Sequence, residues 1–216
     1  MKVLLIGDSC EDRYFYGDVK RLNPEAPVPI LEYRRAVTSK GMAWNVRENL
    51  MSFGVEVYIS THPEEIIKTR YIDEKSNQQI MRYDEEPEIT PISFEFPDEW
   101  KTTYDALVIS DYDKGFITQE KLFELSNWFQ GPVFIDTKKI CIPGNAFIKV
   151  NEYEFKKITH FIPDNMIITK GGEGTEYQGK LYPAEKVNVF DVVGAGDTFL
   201  AALTYGYLKY GRIEEA

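Results

Sequence analysis

Cysteine is nearly missing from this chain: Cys10 and Cys141 are the only two among 216 residues, and they form no CxxC pair. That leaves no basis for a disulfide framework, and a reducing, cytoplasmic setting is the expectation. Histidine is as scarce, with His62 and His160 alone, so no transition-metal site is proposed. No apolar run approaches the roughly 20 residues that a membrane-spanning helix needs. The opening segment Met1-Lys2-Val3-Leu4-Leu5-Ile6-Gly7-Asp8 is too short and too soon acidic for a signal peptide, and reads as a buried strand. Positive charge is in deficit, since 25 Lys and Arg against 35 Asp and Glu give a net charge of −10. Such a balance argues against a nucleic-acid surface. The chain shows no internal repeat and no low-complexity tract.

What remains is an ordinary globular composition, 43% hydrophobic and 28% charged, in a chain long enough for one substantial core and a single domain. Short β-branched runs at Val3–Ile6, Val55–Ile59, Leu107–Ser110, Val133–Ile135, Phe147–Val150 and Met166–Thr169 read as buried strands. Between them, Ala43–Phe53, Gln119–Phe129 and Glu152–Ile158 carry apolar residues at helical spacing. The alternation predicts α/β architecture: βαβ units and a mostly parallel, doubly wound sheet with helices on both faces. In such sheets ligands lie beyond the carboxyl ends of the strands. Segments of another kind interrupt the pattern. Arg13–Val19, Pro27–Val37, Thr69–Asp73 and Gln78–Asp84 alternate polar and apolar residues, as strands with one wet face do.

Near the C-terminus, Asp191-Val192-Val193-Gly194-Ala195-Gly196-Asp197-Thr198 runs into the apolar Phe199-Leu200-Ala201-Ala202-Leu203. Small residues before a strong helix former let several N–H groups converge at the positive end of the helix, which suits a phosphate. Asp197 falls in the first turn. A carboxylate beside an anion hole can take a proton from an attacking hydroxyl while amides stabilise the transferring phosphoryl group. By itself the stretch also fits a plain helix start with Asp as a cap. A net-negative chain that binds anionic substrates must do so locally. Lys138, Lys139 and Lys170 lie beside the candidate phosphate segments, and Arg70 and Arg82 among the alternating strands.

The Gly194–Asp197 stretch resembles the C-terminal signature of the ribokinase-like (PfkB) carbohydrate kinases. Five further segments agree in order: Gly7–Pro29, Asn77–Asp84, Ser110–Gly115, Ile135–Lys138 and Thr169–Gly174. The first of these is similar to the heptose 7-phosphate kinase domain of bifunctional ADP-heptose synthases, and the match reaches from Met1 to about Tyr210. The resemblance implies a ribokinase-like fold with a small β lid, its strands within 13–37 and 69–84, over the sugar site. It also implies lids that clasp one another in a homodimer. It implies ATP as phosphoryl donor, Mg²⁺, and a sugar or sugar-phosphate acceptor. Asp197 is then the catalytic base, with Gly194, Ala195 and Gly196 donating amides. Asn151 approaches the nucleotide phosphates, and Glu154, in the Asn-x-x-Glu motif, holds the metal's water shell. Thr169, Gly171 and Gly174 contact the nucleotide, and Lys138 lies near it. Asp12 grips sugar hydroxyls, and Gly41 and Asn45 match a sugar-binding motif. Arg82 either meets a substrate phosphate or forms a strand-edge salt bridge.

Three departures stand against this pattern. Met42 takes the place of a second glycine in the sugar motif, with Trp44 and Arg47 nearby in place of small residues. Only Ser60–Glu65 separates Ile59 from the Ile66-Ile67-Lys68-Thr69-Arg70 segment, where the family carries further βα units. The C-terminal part of the family fold, which completes the adenine pocket, does not appear. These departures keep a second reading open, a non-catalytic sugar- or nucleotide-binding module.

Overall fold

The structure, a computed structural model, describes residues 1–158, 164–185 and 193–216. His160, and Asp191 and Val192 of the glycine-rich stretch, lie outside the described residues. In chain order the strands and helices are β1 (Lys2–Gly7), β2 (Ser9–Leu22), β3 (Pro29–Met42), α1 (Ala43–Ser52), β4 (Glu56–Ser60), β5 (Ile67–Asp73) and β6 (Gln78–Glu85). They continue with α2 (Trp100–Thr103), β7 (Ala106–Asp111), α3 (Gln119–Trp128), β8 (Val133–Thr137), β9 (Phe147–Asn151) and α4 (Glu152–Phe155). The last are β10 (Met166–Thr169), β11 (Thr175–Tyr177), β12 (Lys180–Tyr182) and α5 (Ala195–Tyr210). The chain divides into two compact units, one of residues 1–8, 42–62 and 89–216, the other of residues 9–41 and 63–88.

The larger unit is built on one sheet in the order β12-β11-β10-β9-β8-β7-β1-β4. Strands β4, β1, β7, β8, β9 and β10 run parallel, and β11 and β12 add an antiparallel hairpin at one end. Val3, Leu4, Leu5 and Ile6 are all fully buried, although alternate side chains of a strand point to opposite faces. Both faces are therefore covered, as the unbroken apolar runs require. Val3 and Leu5 pack into a core with Ala43, Val46 and Leu50 of α1 and Leu200, Ala201 and Leu203 of α5. The α3 crossover leads from β7 to β8, while α1 leads toward β4 on the other side of β1. Right-handed crossovers in opposite directions put α3 on the face away from α1.

The smaller unit is a sheet in the order β3-β2-β5-β6, with β2 parallel to β5 and β5 antiparallel to β6. Phe15 stacks on Tyr71, ring centroids 5.5 Å apart, across the β2–β5 pair. Strand β3 is exposed along most of its length, and Leu22, Val28, Tyr33 and Val37 remain open to solvent. No helix among the described residues is long and apolar enough to cross a membrane.

The strand reading of the sequence matches these elements closely. Helix α4, read as Glu152–Ile158, ends earlier, at Phe155. The β11–β12 hairpin is an addition to the elements that the sequence pattern predicts. Its turn, Gln178-Gly179, has positive φ at both residues (49° and 73°), the left-handed geometry that joins twisted strands tightly. Gln-Gly is a weak signal for it beside Asn-Gly.

Candidate functional site

In the larger unit the candidate residues gather where parallel strands end. Gly194 precedes α5 with φ 76°, a backbone conformation that a side chain strains. The amides of the first helical turn have no acceptor within the helix and carry the positive end of its dipole. Ala195, Gly196 and Asp197 form that turn. A Cβ on Gly196 would lie 2.8 Å from Lys149 Nζ, so the turn packs directly over the ends of β8 and β9. There Lys149, buried on β9, donates to Asp136 Oδ2 of β8 at 2.6 Å. The other oxygen of Asp136 is buried with no partner among the described residues. No role for either is legible in the sequence, because Lys149 sits inside a strand pattern, Asp136 just after one, and they meet only through strand pairing.

Asp197 is buried, and both its oxygens are engaged. Tyr112 OH donates to Oδ1 at 2.8 Å, and Asn45 Nδ2 to Oδ2 at 3.0 Å. Burial pushes the Asp197 carboxyl above the ordinary aspartate range. The two hydrogen bonds and the charge of Lys149 work against that rise, while Asp136 adds to it. Asn45, read from the sequence as a sugar contact, is thus placed on the carboxylate and beside Gly194, whose Cβ would lie 2.6 Å from Asn45 Nδ2.

Asn151 closes β9 and caps α4. Its Oδ1 accepts from Glu154 N, and Glu154 Oε2 accepts from Asn151 N, each at 2.9 Å. The other Glu154 oxygen accepts from Lys138 Nζ. Burial disfavours the Lys138 charge, yet the carboxylates of Asp136, Glu154 and Asp197 together hold its ammonium above the ordinary value. Lys139 pairs with Asp111 and Asp113, and Lys170 with Glu176. After β10, Thr169, Gly171 and Gly174 line a cavity of about 490 Å³ together with Gly196, Phe199 and Ile213. Glu214 and Ala216 also reach it, so the last residues of the chain form part of its wall.

Three of the proposed sugar residues belong to the smaller unit. Asp12 forms an ion pair with Arg70 in which the side chains are 10% and 11% exposed. Cys10 Sγ donates to the second Asp12 oxygen at 3.7 Å. Burial, and then the Asp12 charge, push the Cys10 thiol up to about 12. Gly41 leaves the room that the Asp12 carboxylate occupies, for a side chain there would collide with it. Arg82 pairs with Asp84 through two hydrogen bonds of 2.7 and 2.5 Å, the strand-edge salt bridge of the two readings.

Residues 143–216 match the model of the pfkB family carbohydrate kinases. The bifunctional protein HldE of Nitratiruptor sp. is 30% identical over 270 aligned positions, which take in the whole chain and 58% of that protein. Its counterpart in Helicobacter acinonychis is 27% identical, covering the whole chain and 60% of that protein. The chain thus spans about three fifths of the length of these relatives. The 270 aligned positions exceed the chain's 216 residues, so the first relative carries residues with no counterpart here. Among solved structures, ribokinase from Thermotoga maritima superposes with a TM-score of 0.66 at 15% identity, over 99% of this chain and 88% of that one. Phosphofructokinase-2 from Escherichia coli does so with a TM-score of 0.69 at 15% identity, over 98% and 87%. The matched family segment contains the α5 turn, and the fold shared along nearly the whole chain is ribokinase-like.

Proposed function

We propose that the chain is an ATP-dependent kinase that phosphorylates a hydroxyl of a sugar or sugar phosphate, with a heptose 7-phosphate-like acceptor favoured by the N-terminal segment. The observation that carries the reading is the buried Asp197 in the first turn of α5, beside amides that have no acceptor within the helix. A desolvated carboxylate is a stronger base than an exposed one, which suits removal of a hydroxyl proton. As the acceptor oxygen attacks the γ-phosphoryl group, Asp197 takes its proton, and the bond from the γ-phosphorus to the β–γ bridging oxygen breaks to release ADP. The amides of Ala195 and Gly196, preceded by Gly194, stabilise the charge on the phosphoryl oxygens.

Lys138 and Lys149 add positive charge on the same side. Thr169, Gly171 and Gly174 let the nucleotide approach the backbone, and the adjoining cavity receives its base. Glu154, Asn151 and the Asp136 oxygen that has no partner among the described residues are hard oxygen donors, a set that fits Mg²⁺ kept largely in its water shell. When bound, the ion neutralises nucleotide phosphate charge. Asp12, Gly41 and Asn45 are assigned to the acceptor by the resemblance, Arg82 by the fit of its guanidinium fork to a substrate phosphate, and the setting is taken to be the cytoplasm.

Phosphoryl transfer from ATP to a panel of sugars and sugar phosphates tests the proposal, with Asp197→Asn as the control. Transfer by the parent and its loss in the variant are expected; an inert parent would leave the non-catalytic reading. That second reading draws on Met42, which is 4% exposed and has φ 58° where the family motif has glycine.

A further inference from the structure

The segment Tyr112-Asp113-Lys114-Gly115, which follows Asp111 at the end of β7, has a geometry that reaches the centre of the site. Tyr112 OH lies 2.8 Å from Asp197 Oδ1. Its backbone is held from two directions. Buried Asp8, at the end of β1, accepts from Tyr112 N at 2.7 Å and from Lys114 N at 3.2 Å through one oxygen. Asp111, also buried, accepts from Asp113 N at 3.0 Å and from Thr137 Oγ1 at 2.5 Å. A loop tied to two buried carboxylates fixes the phenol before any ligand arrives. The ring also carries the Lys138 ammonium, 5.4 Å from its centroid.

We propose that Tyr112 is the positioning residue for Asp197, donating to Oδ1 so that the carboxylate is held in one orientation for the acceptor hydroxyl. The inference rests on the assignment of Asp197 as base made above. Each carboxylate oxygen has two lone-pair sites. Tyr112 takes one on Oδ1 and Asn45 one on Oδ2, which leaves the remaining sites in fixed directions. A proton acceptor locked in this way avoids the rotational search that a free side chain makes. The hydrogen bond favours the ionised form, and the charged groups around Asp197 are Asp136 on β8, Lys138 after it and Lys149 on β9. Removing the phenol hydroxyl leaves burial less opposed, so the carboxyl titrates at higher pH.

The test is Tyr112→Phe, which keeps the ring, its contact with Lys138 and the backbone ties to Asp8. Turnover is expected to fall on the order of tenfold or more, as for loss of a hydrogen bond to a charged group. The acid limb of the turnover–pH profile is expected to move to higher pH by about one unit, with nucleotide affinity close to the parent's and the melting temperature at neutral pH lowered by a few degrees. The Asp197 carboxyl carbon is followed in parallel by ¹³C NMR titration, which needs no activity. If the parent phosphorylates no acceptor, the kinase proposal fails while the NMR midpoint still decides the role of Tyr112. A midpoint that does not move overturns the inference, as does turnover within twofold of an active parent.

Discussion

Asp197 is caught between two demands. Burial raises its carboxyl above the ordinary range, so the fold favours the protonated form while the proposed chemistry needs the carboxylate. For a carboxyl raised in the folded state, the penalty is absent below the unfolded pKa. It grows as pH rises through the folded one. Asp197→Asn is therefore expected to melt higher than the parent at neutral pH, with the gap narrowing in acid. Each kcal/mol recovered is worth about 2–4 °C in a chain of this size. Turnover in the same variant is expected to fall by a factor of about 10² to 10⁴, the usual contribution of a general base. Calorimetry at two pH values and a steady-state assay check both, and an unchanged turnover would remove Asp197 from the chemistry.

Met42 poses the opposite balance. Its φ of 58° stores strain worth roughly 1–3 kcal/mol that glycine would relieve. Its buried side chain contributes more, since Met-to-Ala truncations cost about 2–5 kcal/mol. Met42→Gly is expected to be destabilised, and a more stable variant in denaturant titration would show strain to be the larger effect. Asp197 was legible in the sequence because glycine and alanine announce the turn before it. Tyr112, Asp136 and Lys149 were not, because their meeting depends on which strands lie side by side.

The elements themselves were the most legible level. Unbroken β-branched runs gave the six parallel strands, and period-two alternation marked the strands of the smaller sheet. The hairpin β11–β12 escaped because three-residue strands carry too little pattern. The Asn151–Glu154 motif shows why a local reading can stay double: it is a complete capping box, and Glu154 also reaches Lys138. Glu154→Gln separates the two roles, since glutamine still caps. Helical content by circular dichroism is expected to stay constant, while the gain in nucleotide affinity on adding Mg²⁺ shrinks severalfold. Loss of helix along with affinity would assign Glu154 to the cap alone.

For the whole molecule, the exposed face of the smaller sheet is the open question of assembly. Val28 and Val37 are open to solvent and Tyr33 is 67% exposed. An uncovered apolar sheet face with free edges favours pairing with another copy. A homodimer through these strands is expected, and light scattering at micromolar concentration that shows only monomer would refute it. Tyr33→Lys is expected to weaken the dimer while leaving the larger unit's melting unchanged.

The path of the chain between the units carries a further consequence, for how the protein is made. The backbone leaves the larger unit after Asp8, returns at Met42, leaves again after His62 and returns at Ile89. Val3 pairs with Ala106 only after both excursions are complete. Closing so long a loop is entropically costly, and sheets built from such distant partners fold slowly. If β2, β3, β5 and β6 assemble first, they draw the ends of each excursion together and shorten the effective loop. The smaller sheet then serves as a folding aid to the larger one, with β1 waiting for β7 until both excursions have been made.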